Sequence, residues 1–230
     1  MSVNERIKAI ILLSGGIDSA VMLAKAQKEH RNCYCLSINY GQRHIQELEA
    51  AKQIAQKYGA IDHVITSVDM RKFGGSALTS DEIDVSKSRD INGSRSYVNT
   101  YVPARNLVFL GLATAWAETI HASEIWIGVN ADDHADYPDC RRSFIAKYQS
   151  FLLEIREPHG LVVRVCAPFI LCNKTQVISW GASLGVDYSL THTCYDPTDT
   201  GLACGRCDAC QLRLQAFGKT KLIDPIEYVF

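Results

Sequence analysis

Residues 9–26, AIILLSGGIDSAVMLAKA, decide the reading of this chain. An apolar run from Ala9 to Leu13 enters Ser14-Gly15-Gly16, and apolar positions then recur at Ala20, Val21, Leu23 and Ala24 with the spacing of one helix face. The pattern predicts a buried strand over Lys8–Leu13 and a helix over Ile17–Glu29, joined by a tight turn. A glycine pair at such a turn lets the backbone come close to an oxyanion, and the free N–H groups of the first helical turn point at it. Phosphate is the natural guest. A Walker loop would place a lysine directly after its last glycine, but Ile17, Asp18 and Ser19 follow Gly16 and none is a cation. A GKT string does occur at Gly218–Thr220, yet Arg213 stands five residues before its glycine and no apolar strand precedes it, so that match is accidental. Asp18 would repel a phosphate unless it holds a metal or caps the helix, and both roles stay open.

Outward from this turn, strand-like and helix-like segments alternate in the rhythm of an α/β fold. Strands are predicted at 33–40, 62–70, 124–130 and 164–169, and helices at 45–59, 106–122 and 173–185, with Gly59 as a C′ residue. Residues 71–100 are polar and rich in Gly, Ser and Asp, a long loop or lid over the site. From about Thr191 cysteines, glycines and turns replace the alternation. The expected organisation is an α/β nucleotide-binding domain over 1–190 with a small module over 191–230 packed on it.

Composition bounds the function. The chain has 230 residues, 47% of them hydrophobic, and 24 Lys and Arg stand against 25 Asp and Glu, a net charge of −1. It is long enough to bury a sizeable core. No global positive field exists to hold a long polyanion, so a nucleic-acid partner is not expected. The N-terminal apolar run is too short to span a bilayer and lacks a small-residue cleavage site, which points to a cytoplasmic protein with no membrane partner.

Nine cysteines are an odd number for a disulfide framework. Four of them, Cys194, Cys204, Cys207 and Cys210, are spaced C-x9-C-x2-C-x2-C. Short C-x2-C steps let neighbouring thiolates turn to one metal, and four thiolates close a structural zinc site with no open position for chemistry. One zinc per chain is expected. His192 lies close enough in sequence to compete with Cys194 as the fourth ligand.

The SGGIDS string at 14–19 resembles the S-G-G-x-D-S signature of the PP-loop adenine-nucleotide α-hydrolases, and four further strings narrow the likeness: NYGQRH at 39–44, YVPARN at 101–106, GVNADDHADYPDCR at 128–141 and the cysteine cluster. Together, over nearly the whole chain, they resemble the 7-cyano-7-deazaguanine synthase family of queuosine-pathway ligases. The resemblance implies a Rossmann-like (HUP/PP-loop) parallel sheet flanked by helices, with ATP as co-substrate, magnesium at the phosphates, zinc near the C-terminus and a homodimer. It also implies the reaction. 7-Carboxy-7-deazaguanine is adenylated with loss of pyrophosphate, ammonia displaces AMP to give an amide, and a second ATP activates the amide oxygen on the way to the nitrile.

Under that resemblance the ATP-binding residues are Leu13, Ser14, Gly15, Gly16, Ile17, Asp18, Ser19, Ala20, Val21, Met22 and Leu23, with the Ser and Gly groups touching pyrophosphate. Asp18, Arg105, Asp133 and Lys174 are the candidate catalytic residues. Arg43, His44, Arg105, Asp133 and Asp139 are the candidate substrate contacts. Each has a plainer rival: a surface ion pair for Arg105, a solvated side chain for His44 and Lys174, a bare turn for Asp133 and Asp139. One departure stands beside the proposed pocket, where Ala135-Asp136 replaces the Ser-Gly pair usual before Tyr-Pro-Asp-Cys. It leaves open a paralogue that adenylates a different carboxylate. A third reading, a tRNA-thiolating PP-loop enzyme, would use Cys140, whose pKa its neighbours Arg141 and Arg142 would lower.

Overall fold

The structure, a computed structural model, describes residues 6–43, 46–91, 98–134, 136–155, 160 and 162–229. His44 and Ala135 lie outside them. Five parallel strands, β1 (Lys8–Leu12), β2 (Asn32–Asn39), β3 (Asp62–Ser67), β4 (Glu124–Trp126) and β5 (Arg164–Cys166), form one sheet in the order β3-β2-β1-β4-β5. The chain winds outward from β1 to β3, then crosses back to lay β4 against the free edge of β1. That reversal opens a crevice at the carboxyl ends of β1 and β4, the place where open α/β sheets take their ligands.

Strand alternation supplies two cores. Ile10 and Leu12 face one side, where α3 (Arg105–Ile120) and α4 (Arg142–Glu154) cover them. Ala9, Ile11 and Leu13 face the other, covered by α1 (Ile17–Lys28), α2 (Gln46–Lys57), α5 (Lys174–Ser183) and α6 (Asp208–Thr220). The wholly buried Ala20, Val21, Met22 and Leu23 bind α1 into this second core.

Several expectations need correction. The strand expected over 124–130 ends at Trp126, and Ile127, Gly128 and Val129 continue as the crevice wall. Helices α4 and α6 went unpredicted. The RRSFIAKYQSFLLE run hides a helix among aromatics, and α6 begins inside the cysteine cluster, whose turn-like spelling masks it. Residues 71–100 carry no helix longer than the single 3-10 turn at Arg71–Phe73 among the described residues, but they are not a loose flap: Ala77, Leu78 and Val85 are buried in the α3 and α4 core. The Ala77 amide donates to the Asn99 carbonyl at 2.7 Å and the Ser88 amide to the Arg206 carbonyl at 2.8 Å.

At the opposite end of the sheet, Glu124 is 2% exposed on β4. Its carboxylate accepts from Trp126 Nε1 at 2.7 Å, from Arg31 Nε at 2.9 Å and from Arg164. Burial alone would raise its pKa, but these three donors together hold it below the usual carboxylate value. A folded-state pKa below the unfolded one means stability present at neutral pH and lost as pH falls through the depressed value. Glu124→Gln is therefore expected to cost on the order of 2 kcal/mol at pH 7, read as a denaturant midpoint, with the difference from the parent shrinking in acid.

Candidate functional site

Helix α1 starts without a side-chain cap. Its N-cap is Gly16, so its first amides remain available at the crevice. Gly15, at φ 88°, makes the turn, and a Cβ there would lie 2.1 Å from the Glu47 carbonyl oxygen, so only glycine fits. Ser14 and Ser19 hydroxyls meet at 3.2 Å, and Ser19 Oγ donates to the Gly16 carbonyl at 3.0 Å. Both thus converge on the start of α1, where a phosphate-sized anion would find amides and hydroxyls together.

Asp18 neither caps the helix nor stands alone. Its carboxylate forms an ion pair with Lys174, the first residue of α5, and accepts from Asn130 Nδ2 at 3.2 Å. The cation missing from the turn thus arrives 156 residues later in the chain. Lys174 is seated by its helix, which opens with a capping box between Asn173 and Gln176, and its amide donates to Asp132 at 2.7 Å. Burial works against the Lys174 charge, but Asp18 and Asp133 outweigh it and leave the pKa raised. Asp133 is also shifted upward, but by burial, with Lys174 opposing and Asp18 adding. One oxygen of Asp18, Oδ1, is buried without a hydrogen bond among the described residues. Two carboxylates beside an orphaned oxygen fit a divalent cation.

From this polar mouth a cavity of about 230 Å³ runs between the sheet and α3. Leu36, Ile38, Ile127 and Val129 line its apolar part, with Tyr40, Tyr137 and Tyr195 around it. Arg105, first residue of α3, enters beneath Tyr40: its Nη1 donates to Tyr40 Oη at 3.3 Å and its guanidinium lies 5.5 Å from that ring. Burial disfavours the Arg105 charge, but Tyr40 and Tyr195 leave its pKa raised, so the cavity holds a fixed cation. Glu47, from the first turn of α2, lines the same cavity, and burial lifts its pKa to about 7 while Arg105 pulls it down.

The structure thus brings together Leu13, Ser14, Gly16, Ile17, Asp18, Ser19, Arg105, Asp133 and Lys174. Gly15 forms the turn behind them, and the other candidates among the described residues stay out of the cavity wall. Ala20, Val21, Met22 and Leu23 face the core. Arg43 is spent on residues 71–91, its amide donating to the Leu78 carbonyl and its Nη1 to the Ile83 carbonyl at 3.1 Å. Asp139 accepts the Asn106 amide at 2.9 Å and so finishes the first turn of α3 off the cavity wall. Cys140 does line the cavity, but burial raises its thiol pKa and Asp133 and Asp139 add to that. Arg105 and the Asn106 side chain oppose the rise without reversing it, so the lowered thiol pKa expected there is not met. Glu47, Tyr40, Asn130 and Tyr195 were missed by sequence reasoning. Tyr40 and Asn130 sit at the carboxyl ends of β2 and β4, inside strings already singled out, and that position was the available signal.

The four cysteines form a second centre. Their Sγ atoms all lie within 4.8 Å of one another and all four residues are buried. A tetrahedral ion with metal–sulfur bonds of about 2.3 Å needs sulfurs roughly 3.8 Å apart, so the cage is of the right size. The amides of Asp196 and Cys204 donate to Cys194 Sγ at 3.3 and 3.2 Å, that of Tyr195 to Cys207 Sγ at 3.4 Å, and those of Arg206 and Cys207 to Cys204 Sγ at 3.5 and 3.3 Å. Donors aimed at sulfur suit thiolates bound to a metal. His192 is not in this group. It lines the main cavity instead, and its amide donates to the Gly15 carbonyl at 2.9 Å.

Residues 8–221 match the family described as "Queuosine biosynthesis protein QueC". The chain belongs to that family. It is 49% identical over 223 residues to the 7-cyano-7-deazaguanine synthase of Geobacter sp. (strain M21), covering 96% of this chain and 97% of that one. It is 45% identical over 234 residues to the same-named protein of Desulfatibacillum aliphaticivorans, with 100% of each chain covered. Among solved structures, NMN synthetase from Francisella tularensis superposes with a TM-score of 0.50 at 16% identity, covering 95% of this chain and 78% of that one, a likeness of fold. Family membership makes this chain an enzyme of the queuosine pathway class. No helix among the described residues is long and apolar enough to cross a membrane.

Two variants test the site as built. Cys207→Ala is expected to lose bound metal, read by elemental mass spectrometry, together with soluble yield. Full metal content in a folded variant would contradict the cage. Gly15→Ala is expected to fold with a lowered melting temperature, because the added methyl meets backbone and not a movable side chain.

Proposed function

We propose that this protein is an ATP-dependent ligase that converts 7-carboxy-7-deazaguanine and ammonia to 7-cyano-7-deazaguanine. The observation that carries the reading is the joining, in one cavity, of an uncapped α1 start with its Lys174 cation to an aromatic-walled recess with Arg105 at its side. A nucleotide's phosphates and a planar acid meet naturally in such a space.

In the first half-reaction a substrate carboxylate oxygen attacks the α-phosphorus of ATP. The bond to the β-phosphate oxygen breaks and pyrophosphate leaves with the electron pair. The α1 amides, Ser14 and Ser19 receive that departing charge, and Lys174 neutralises it from the other side. Arg105 holds the carboxylate in line for attack. Magnesium held by Asp18 and Asp133 would supply further charge neutralisation at the phosphates. Ammonia then adds to the acyl carbon and AMP leaves with the carboxylate oxygen, giving the amide. The amide oxygen attacks a second ATP in the same way, and loss of AMP and of both amide protons leaves the nitrile. The apolar walls Leu36, Ile38, Ile127 and Val129 limit water at the acyl adenylate.

The four-cysteine cage is best read as a zinc site. Four thiolates close the coordination sphere, so its ion shapes the fold and takes no part in turnover. It does so close to the reaction, because Cys194 precedes the cavity residue Tyr195 and Cys207 is the N-cap of α6. The reading includes a cytoplasmic homodimer acting on small molecules. A raised Cys140 pKa and a charge balance near zero weigh against tRNA thiolation.

Incubation of purified protein with ATP, ammonium and 7-carboxy-7-deazaguanine is expected to yield two AMP and two pyrophosphate per nitrile, counted by mass spectrometry. Pyrophosphate release dependent on a different carboxylate would move the reading to a paralogue. Lys174→Ala is expected to lower kcat by about 10²–10³-fold, by loss of a charge at the leaving group.

A further inference from the structure

Three carboxylates line the main cavity: Asp18, Asp133 and Glu47. The first two belong to the Lys174 cluster. Asp18 is paired with Lys174, and Asp133 Oδ2 accepts the Asn130 amide at 3.2 Å beside that same lysine. Asp139, a candidate substrate contact from its sequence position, accepts the Asn106 amide and lies off the cavity wall. Glu47 stands apart from all of these. Its carboxylate takes no hydrogen bond and forms no ion pair among the described residues, although Arg105 is near enough to pull on its pKa. Half-buried in the cavity wall with no protein donor, that carboxylate is available to a bound ligand that brings donors of its own.

We infer that Glu47 reads the ring edge of the deazaguanine, its two oxygens accepting from the ring N1–H and the 2-amino group. The inference rests on the function proposed above. Arg105 and Glu47 share the cavity without pairing, so a ligand laid between them meets a cation at one place and a two-oxygen acceptor at another. 7-Carboxy-7-deazaguanine has the complementary layout, with a carboxylate on the five-membered ring and two adjacent donors across the six-membered one. Adenine does not, because its base-pairing edge presents one donor and one ring-nitrogen acceptor, which a carboxylate repels. Burial raises the Glu47 pKa and Arg105 opposes it, and two ligand donors would favour the ionised form further.

The test uses the full-length protein, ATP, 7-carboxy-7-deazaguanine and its 2-deamino analogue. Calorimetry should show Glu47→Gln binding 7-carboxy-7-deazaguanine about 10- to 100-fold more weakly, with ATP affinity unchanged, because the amide offers one acceptor where two are needed. Wild-type protein should disfavour the 2-deamino analogue by a similar factor, and Glu47→Gln should lose that discrimination. The wild-type comparison needs no variant, so it decides even if Glu47→Gln fails to fold. Equal wild-type affinity for the two ring compounds would overturn the assignment. So would a Glu47→Gln loss confined to ATP, the mark of a ribose contact, or a fall in kcat with both affinities intact, the mark of a proton carrier. If wild-type protein bound neither ring compound, the proposed function itself would fail.

Discussion

The ion pair between Asp18 and Lys174 is the contact on which the arrangement turns. It ties the first turn of α1, at the end of β1, to the first turn of α5, which follows β5, across the crevice that the sheet order opens. Both partners are largely enclosed, with side chains 19% and 15% exposed. A pair so placed is weak evidence for stability but strong evidence for position, since each member fixes the other at the mouth of a site. Without Lys174, Asp18 would face incoming phosphates as a repelling charge. Without Asp18, Lys174 would sit desolvated with only Asp133 and Asp132 near it.

The second determinant is the cysteine cage, which is structural in composition yet close to the chemistry. Cys194 is flanked by Thr193 and Tyr195, both in the cavity wall, and α6 brings Arg213 behind them. Arg213 is 1% exposed and donates to Asp224, to Thr191 Oγ1 at 2.8 Å and to the Tyr188 carbonyl. A metal that orders this end of the chain therefore orders one wall of the binding space. Arg89 adds a clasp from the 71–91 segment, pairing with Asp208 at 2.8 Å and Asp136 at 3.2 Å. Asp136 is one of the two residues in which the chain departs from the usual Ser-Gly pair, and here it has a partner.

The strand-turn-helix of 9–26 was legible because strand burial, a glycine pair and helix periodicity agree within a dozen residues. The cysteine cage was legible because metal ligands must be close in space and short C-x2-C steps put them there. What stayed hidden was long-range. Nothing near Asp18 in sequence announces Lys174, and the choice between cap and metal partner missed the ion pair that the fold supplies. Arg43 and Asp139 sit in promising strings, but backbone groups at Ile83 and Asn106 claim them. Helix α6 escaped notice because its first turn is spelled in metal ligands, and Glu47 because it reads as one more acidic residue opening an amphipathic helix.

The central claim is attack of the substrate's own oxygen on the α-phosphorus, with the α1 turn receiving pyrophosphate. Turnover of 7-carboxy-7-deazaguanine labelled with ¹⁸O in both carboxylate oxygens measures it directly. The account predicts that every AMP formed carries one ¹⁸O, that pyrophosphate carries none and that the nitrile carries none. Label in inorganic phosphate beside ADP, or AMP without label, would contradict it.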